Sequence, residues 1–194
     1  MKKFLLSLLV ALFGAMLIFA DDVADVKAVI VRDCELQAKG DFADAFALCA
    51  PDYRETGSDG ETLNYEHTKW IVLSLDGKHP EEFLLLLATY DNKGVMPRAE
   101  VIPKIRQFAH DPGFIKGYEA VNPQIVSAMK SAAELRLKTL EFISVKVDGD
   151  LAAAVVEHDR LDRKTNALKR EIVTISLRKV NGTWMFYRSV SKSK

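Results

Sequence analysis

The sequence predicts an α+β domain, and three observations carry that reading. Apolar residues in the N-terminal part recur every three or four positions. Those in the last third alternate every second position and are punctuated by Asp148-Gly149 and Asn181-Gly182, which are hairpin signals. The chain has 194 residues, of which 48% are hydrophobic, so it builds one ordinary domain with a real core and is neither disordered nor a low-complexity chain. Lys+Arg and Asp+Glu are both 27, which excludes the basic footprint of a nucleic-acid-binding domain.

The first twenty residues stand outside this plan. Met1-Lys2-Lys3 precedes an apolar stretch over 4–19 that is interrupted by Ser7 and Gly14 and followed by Ala20-Asp21-Asp22. A short basic start, an apolar stretch and no basic flank after it are the pattern of a cleaved secretory signal peptide, residues 1–20. Retention as an anchor is the alternative, since such a run just spans a bilayer. Cleavage also removes Lys2 and Lys3 and leaves a slightly acidic mature chain. Residues 83–88, the next large apolar cluster, are far too few to cross a membrane. The expected address is a bacterial periplasm or the cell exterior, with no membrane association after processing. In that oxidising setting Cys34 and Cys49 form a disulfide candidate, with two buried free thiols as the alternative.

Each element has a local reason. Asp21 or Asp22 caps a first helix bearing Val23, Val26, Ile30 and Cys34, which Gly40 ends. Asp41 caps a second helix whose face is Phe42, Ala45, Phe46 and Cys49, and Pro51 ends it. Residues 52–56 are extended, and a turn at Gly57-Ser58-Asp59-Gly60 leads to a third helix over 64–75 with His67, Trp70, Ile71 and Ser74 on one side. Residues 80–90 and 101–110 predict two further helices, and Pro123 is expected to open another through Leu137. Strands over 140–147, 151–157, 171–180 and 184–190 complete an antiparallel meander.

Several short motifs resemble the nuclear transport factor 2-like superfamily, including its SnoaL-like bacterial members. They are Asp41-Phe42 after Gly40 with Ala45 following, Ala50-Pro51-Asp52-Tyr53, Ser58-Asp59-Gly60, and the closing Lys179-Val180-Asn181-Gly182-Thr183-Trp184. The resemblance implies a cone, in which N-terminal helices close over a strongly curved antiparallel sheet, with a pocket at the wide end. Residues 78–138 exceed what a compact member needs and read as a helical insertion, either a lid or a rebuilt pocket wall. The resemblance also implies that the sheet's outer face is a surface through which homodimers form.

Members of this superfamily that act as enzymes use a pocket carboxylate shielded from water, whose pKa rises toward working pH. The chain offers Asp52, Tyr53, Asp59, Tyr65, His67, His158 and Asp159, and none aligns with a catalytic position. His158 and Asp159 are neighbours in a strand and point to opposite faces, so they do not share one pocket. Tyr53, Tyr65, His67, Trp70, Tyr90 and His158 are the pocket-lining candidates, with core packing as the alternative. No Cys-x-x-Cys, His-Glu-x-x-His, nucleophile elbow or phosphate-cradling loop occurs, and His67, His79, His110 and His158 are scattered, so no metal or cofactor is expected. Arg160, Arg163, Lys164, Lys169 and Arg170 surround one loop and read as a solvated rim or a site for an anionic partner. The functional expectation is an exported domain that binds a small apolar or amphipathic molecule, or another protein, without covalent catalysis. The alternative is a cofactor-free acid–base enzyme of the same fold, an isomerase, dehydratase or hydrolase.

Overall fold

The computed structural model describes residues 2–58, 60, 62–91, 97–162, 165 and 167–193, with backbone alone for residues 2–20, 90, 91 and 193. The described elements are α1 (Lys2–Lys39), α2 (Phe42–Phe46), β1 (Cys49–Thr56), β2 (Thr62–Asn64), α3 (Tyr65–Leu75), α4 (Pro80–Asp91), α5 (Ile102–Phe108), α6 (Pro112–Thr139), β3 (Glu141–Asp148), β4 (Leu151–Leu161), β5 (Leu168–Val180) and β6 (Thr183–Ser193).

The six strands form one curved, unclosed sheet in the order β2-β1-β6-β5-β4-β3. From β3 to β6 it is the expected meander, but β1 lies parallel to β6, so the sheet is mixed rather than wholly antiparallel. The reason is topological. β1 comes before α3–α6, and joining the free side of β6 from there requires a crossover, which permits a parallel pairing. Register breaks at Cys49/Arg54, Phe142/Ser144 and Ser176/Leu177 bend the strands. Pro51, which lacks an N–H, falls inside the first of these breaks, where no ladder bond is demanded of it.

The inner face of the sheet carries Ala152, Ala154 and Val156 of β4, Val173, Ile175 and Leu177 of β5, and Trp184 and Phe186 of β6. Val26 and Ile30 of α1 close over them. Val26, Val156 and Leu177 are almost completely buried. Asn181 and Gly182 both have positive φ (51° and 80°), the requirement of the tight hairpin that joins β5 to β6.

Three boundaries differ from the sequence reading. The helix expected to begin at Asp21 or Asp22 is continuous from Lys2 and runs on through Gly14. Gly40 ends it at φ 92°, in the left-handed region, as expected. α2 stops at Phe46, and Cys49 begins β1 instead of completing a helical face. Pro123 lies inside α6; the helix opens at Pro112, where Asp111 accepts from the amides of Gly113 (2.9 Å) and Phe114 (3.1 Å). A first-turn proline needs no N–H partner and therefore competes better as the start.

The segment expected as an insertion divides in two. α4 lies against α3 and α5 against α4, whereas α6 packs on α1 and β4 within the helical layer of the cone. Tyr118 Oη (2.7 Å) and Asn122 Nδ2 (2.6 Å) both donate to the Ser74 carbonyl, fastening α6 to the end of α3.

Candidate functional site

The inner face of the sheet changes character along its length. Toward the β3–β4 and β5–β6 turns it is apolar, with Ala152, Leu177 and Phe186. At the opposite end the same alternation presents His158 from β4 and Glu171 from β5, directly paired in register. Both are buried, at 4% and 8% exposure. Tyr53 and Glu55 of β1, Asp33, Cys34 and Gln37 of α1, and Arg136 of α6 complete this polar end.

The contacts are specific. His158 Nε2 lies 3.7 Å from Glu171 Oε2, and Arg160 Nε pairs with Glu171 Oε1 at 3.0 Å. Arg160 also donates to Ser58 Oγ (3.1 Å). Gln37 Nε2 donates to both Asp33 carboxyl oxygens at 2.9 Å, and Tyr53 Oη donates to Glu55 Oε2 at 3.4 Å. The charge of Arg136 on α6 is felt at Cys34, Asp33, Glu55, Glu171 and His158.

Burial dominates the ionisation here. It raises the Asp33 carboxyl against the opposing pull of Gln37 and Arg136, and raises Glu171 against Arg160 and Arg136. Burial, reinforced by Arg136, lowers the His158 imidazole to about 4, so it is neutral at pH 7 and its contact with Glu171 is not an ion pair. Burial opposes the Arg136 charge, but Cys34, Asp33, Glu55 and Glu171 outweigh it and hold the guanidinium ionised. Cys34 and Cys49 are free thiols; burial pushes them up to about 11 and about 12. Neither is a thiolate nucleophile at neutral pH, and the disulfide candidate is not formed in this structure.

Of the sequence-predicted lining residues, Tyr53 and His158 belong to this site. Tyr65 stacks on Phe46 at 4.7 Å and packs at the edge of the core. His67 serves helix α3: its amide donates to Asn64 Oδ1 (3.0 Å), its Nδ1 accepts from the Asn64 amide (3.4 Å), and its ring meets Trp70 edge-on. Trp70 is buried beneath that helix. The Tyr90 side chain, Asp59, Arg163 and Lys164 lie outside the described residues. Asp52 and Asp159 point to the outer face, where Arg178 grips Asp52 at 2.6 and 3.0 Å and Arg170 meets Asp159, Glu157 and Glu141. Lys169 pairs with Asp162 at 2.6 Å. The described members of the basic loop thus pair with acids, Arg160 with Glu171 of the inner face and Lys169 and Arg170 with acids beside them.

Sequence reasoning missed Asp33, Gln37, Glu55, Arg136 and Glu171. One signal was present: Glu171 extends the alternation Val173, Ile175, Leu177 one step further inward, and His158 does the same for Ala152, Ala154, Val156. Two concavities lie away from the cone. An apolar groove of about 450 Å³ between α4 and α6 is lined by Phe83, Leu87, Phe114, Tyr118 and Val121, and one of about 330 Å³ lies between α2 and α3. Among the described residues no three His, Cys, Asp or Glu side chains are grouped to hold a metal ion.

Neither a family model nor a curated protein matches the chain by sequence. Solved structures do match by shape. A nuclear transport factor 2-like protein with a cystatin-like fold from Novosphingobium aromaticivorans is 12% identical, with 93% of this chain and 87% of that chain covered and a TM-score of 0.50. A nuclear transport factor 2-like protein of unknown function from Silicibacter pomeroyi is 17% identical over 90% of this chain and 98% of that one, with a TM-score of 0.45. A ketosteroid isomerase-like protein from Erwinia carotovora atroseptica is 11% identical over 90% and 98%, with a TM-score of 0.44. The chain has the α+β cone fold of the nuclear transport factor 2-like superfamily. At these identities the likeness concerns fold, and function has to be argued from the site.

Proposed function

We propose that this is an exported domain that binds a small amphipathic molecule in its cone, polar head at the wide end, without covalent catalysis. The observation that supports this is the polar cluster at one end of the inner face, where His158 and Glu171 of the sheet and Tyr53 and Glu55 of β1 follow directly on the apolar residues that α1 covers. Convergent polar groups beside an apolar lining are what orient and hold small ligands. Asp33, Gln37, Glu55, Arg136 and Arg160 are half-buried, so the polar end communicates with solvent. Amide NMR spectra recorded with hexanoate, hexanamide and 1-hexanol test the reading. Perturbations centred on Asp33, Tyr53, Glu55, His158 and Glu171 are expected; perturbations confined to the α4–α6 groove, or none, overturn it.

The second reading, a cofactor-free acid–base enzyme, is favoured by the buried Glu171 beside neutral His158 and by the raised carboxyls of Asp33 and Glu171. A carboxyl held protonated near working pH is what a general acid requires. Chemical conversion of a bound probe, followed in the same NMR samples and lost in Glu171→Gln, separates it from simple binding.

Export rests on the basic, apolar and Ala20-Asp21 segments of the first twenty residues. A mass spectrum of the processed protein is expected to begin at Asp21, and retention of Met1 overturns cleavage. Pairing of two copies through the outer sheet face, where Ile143 and Leu151 are exposed, is compatible with the same cone function.

A further inference from the structure

The turn that joins β5 to β6 holds chemistry that the cone does not use. Asn181 and Gly182 stand at its tip, both exposed. Asn181 has φ 51°, in the left-handed region that a residue with a Cβ seldom occupies, and Gly182 has φ 80°. A Cβ built on Gly182 would meet no atom within 4 Å, so the tip stands in open space. Among the described residues, neither the Asn181 side-chain amide nor the Gly182 N–H has a hydrogen-bond partner. The other asparagines whose side chains are described are held or blocked. Asn64 Oδ1 accepts from the His67 amide (3.0 Å), and the bulky Tyr65 follows it. Asn122 is buried, donates to the Ser74 carbonyl (2.6 Å), and precedes Pro123, whose nitrogen carries no hydrogen.

We propose that Asn181-Gly182 is a site of spontaneous covalent modification, at which the asparagine becomes aspartate or isoaspartate through a cyclic imide. The Gly182 nitrogen gives its proton to hydroxide and attacks Asn181 Cγ. The N–Cγ bond forms, the Cγ–Nδ2 bond breaks, and ammonia leaves with a proton taken from water. Water then opens the ring. Cleavage of the N–Cγ bond gives aspartate, and cleavage between that nitrogen and the main-chain carbonyl gives isoaspartate, whose backbone runs on through Cβ and Cγ. Water is consumed, ammonia is released, and nothing is oxidised. Gly182 favours the attack because no Cβ shields its nitrogen and its backbone turns freely. Ring closure takes Asn181 out of its left-handed conformation, and neither reacting group has to give up a hydrogen bond to do so. The consequence falls on the sheet. Isoaspartate adds a methylene to the main chain of a tight turn, and the flanking pairs, Val180 with Thr183 and Lys179 with Trp184, set the register of β6. β6 lies between β1 and β5 and carries the buried Trp184 and Phe186, so the altered turn loosens the middle of the sheet.

Peptide mass mapping of the folded full chain, incubated at pH 7 and at pH 9, tests the site. The peptide that contains Asn181 is expected to show the mass shift of OH in place of NH2, sooner at pH 9, and to be labelled by a protein-isoaspartate methyltransferase. Asn181→Gly keeps the positive φ of the turn and is expected to lose both signals. The urea midpoint of the wild-type chain is expected to fall as isoaspartate accumulates, while that of Asn181→Gly holds over the same incubation. An Asn181 peptide that reacts in urea but not in the folded chain overturns the site, as does modification at another asparagine that spares this one. A midpoint unmoved in the modified chain overturns the consequence for the sheet.

Discussion

At the scale of single residues, His158 reports how dry the polar end of the cone is. Its folded pKa of about 4 lies below the ordinary histidine value. Between about pH 6.5 and 4 the unfolded chain therefore takes up a proton that the folded chain refuses, and stability falls as pH drops through that window. Asp33 and Glu171 act in the opposite sense, because their raised carboxyls gain protons earlier in the folded chain. His158→Gln is expected to flatten the acid side of the stability profile by less than about 1.4 kcal/mol per pH unit, measured by urea denaturation at pH 4.5, 5.5 and 6.5. An unchanged slope would show that solvent reaches the imidazole freely. Little of this was legible in the sequence. Asp33 and Arg136 sit on helices beside apolar neighbours, and helical spacing alone does not say which side of a half-buried stripe faces the cone. The strand members were closer to legible, since alternation carried one step further points Glu171 and His158 inward.

At the scale of elements, the junction between α3 and α6 is held by one carbonyl with two donors. Tyr118→Phe and Asn122→Ala are each expected to cost about 1 kcal/mol, because the remaining donor still satisfies Ser74. Removing both leaves a buried carbonyl unpaired, so the double variant is expected to lose more than the sum, as read from a double-mutant cycle of chemical denaturation. Simple additivity would mean that the two bonds are independent. This junction is invisible to local pattern, since it joins positions 44 and 48 residues apart. Hairpins are the contrary case: Asn181-Gly182 specifies its turn by dihedral preference alone, and the boundary there is found where the sequence places it. Pro123 illustrates the limit of local signals. It reads as a helix start in isolation, yet Asp111 and Pro112 supply a better one upstream, and α6 tolerates the missing bond for its packing on α1 and β4.

For the molecule as a whole, stability resides in the contact between α1 and the inner face of the sheet. Leu177, fully buried among Ala152, Phe186 and the helix, is expected to cost about 2–5 kcal/mol on Leu177→Ala, seen as a lower denaturant midpoint with an unchanged slope. A loss below about 1 kcal/mol would mean that α1 is not firmly seated on the sheet. The α+β plan and the meander were readable because they rest on periodicity and turn chemistry, and both are local. The parallel seam of β1 with β6 was not, because no pattern within either strand encodes a partner more than a hundred residues away.

That seam governs the order in which the polypeptide can become a protein. β6, the last in chain order of the described strands, is inserted between β1 and β5. Until it arrives, the opening strand has only the three-residue β2 beside it, and the meander shows a raw edge. Closing the sheet therefore waits for β6, a long-range closure of the kind that slows folding. The segments before β6 consequently lack their central partner until that strand joins them.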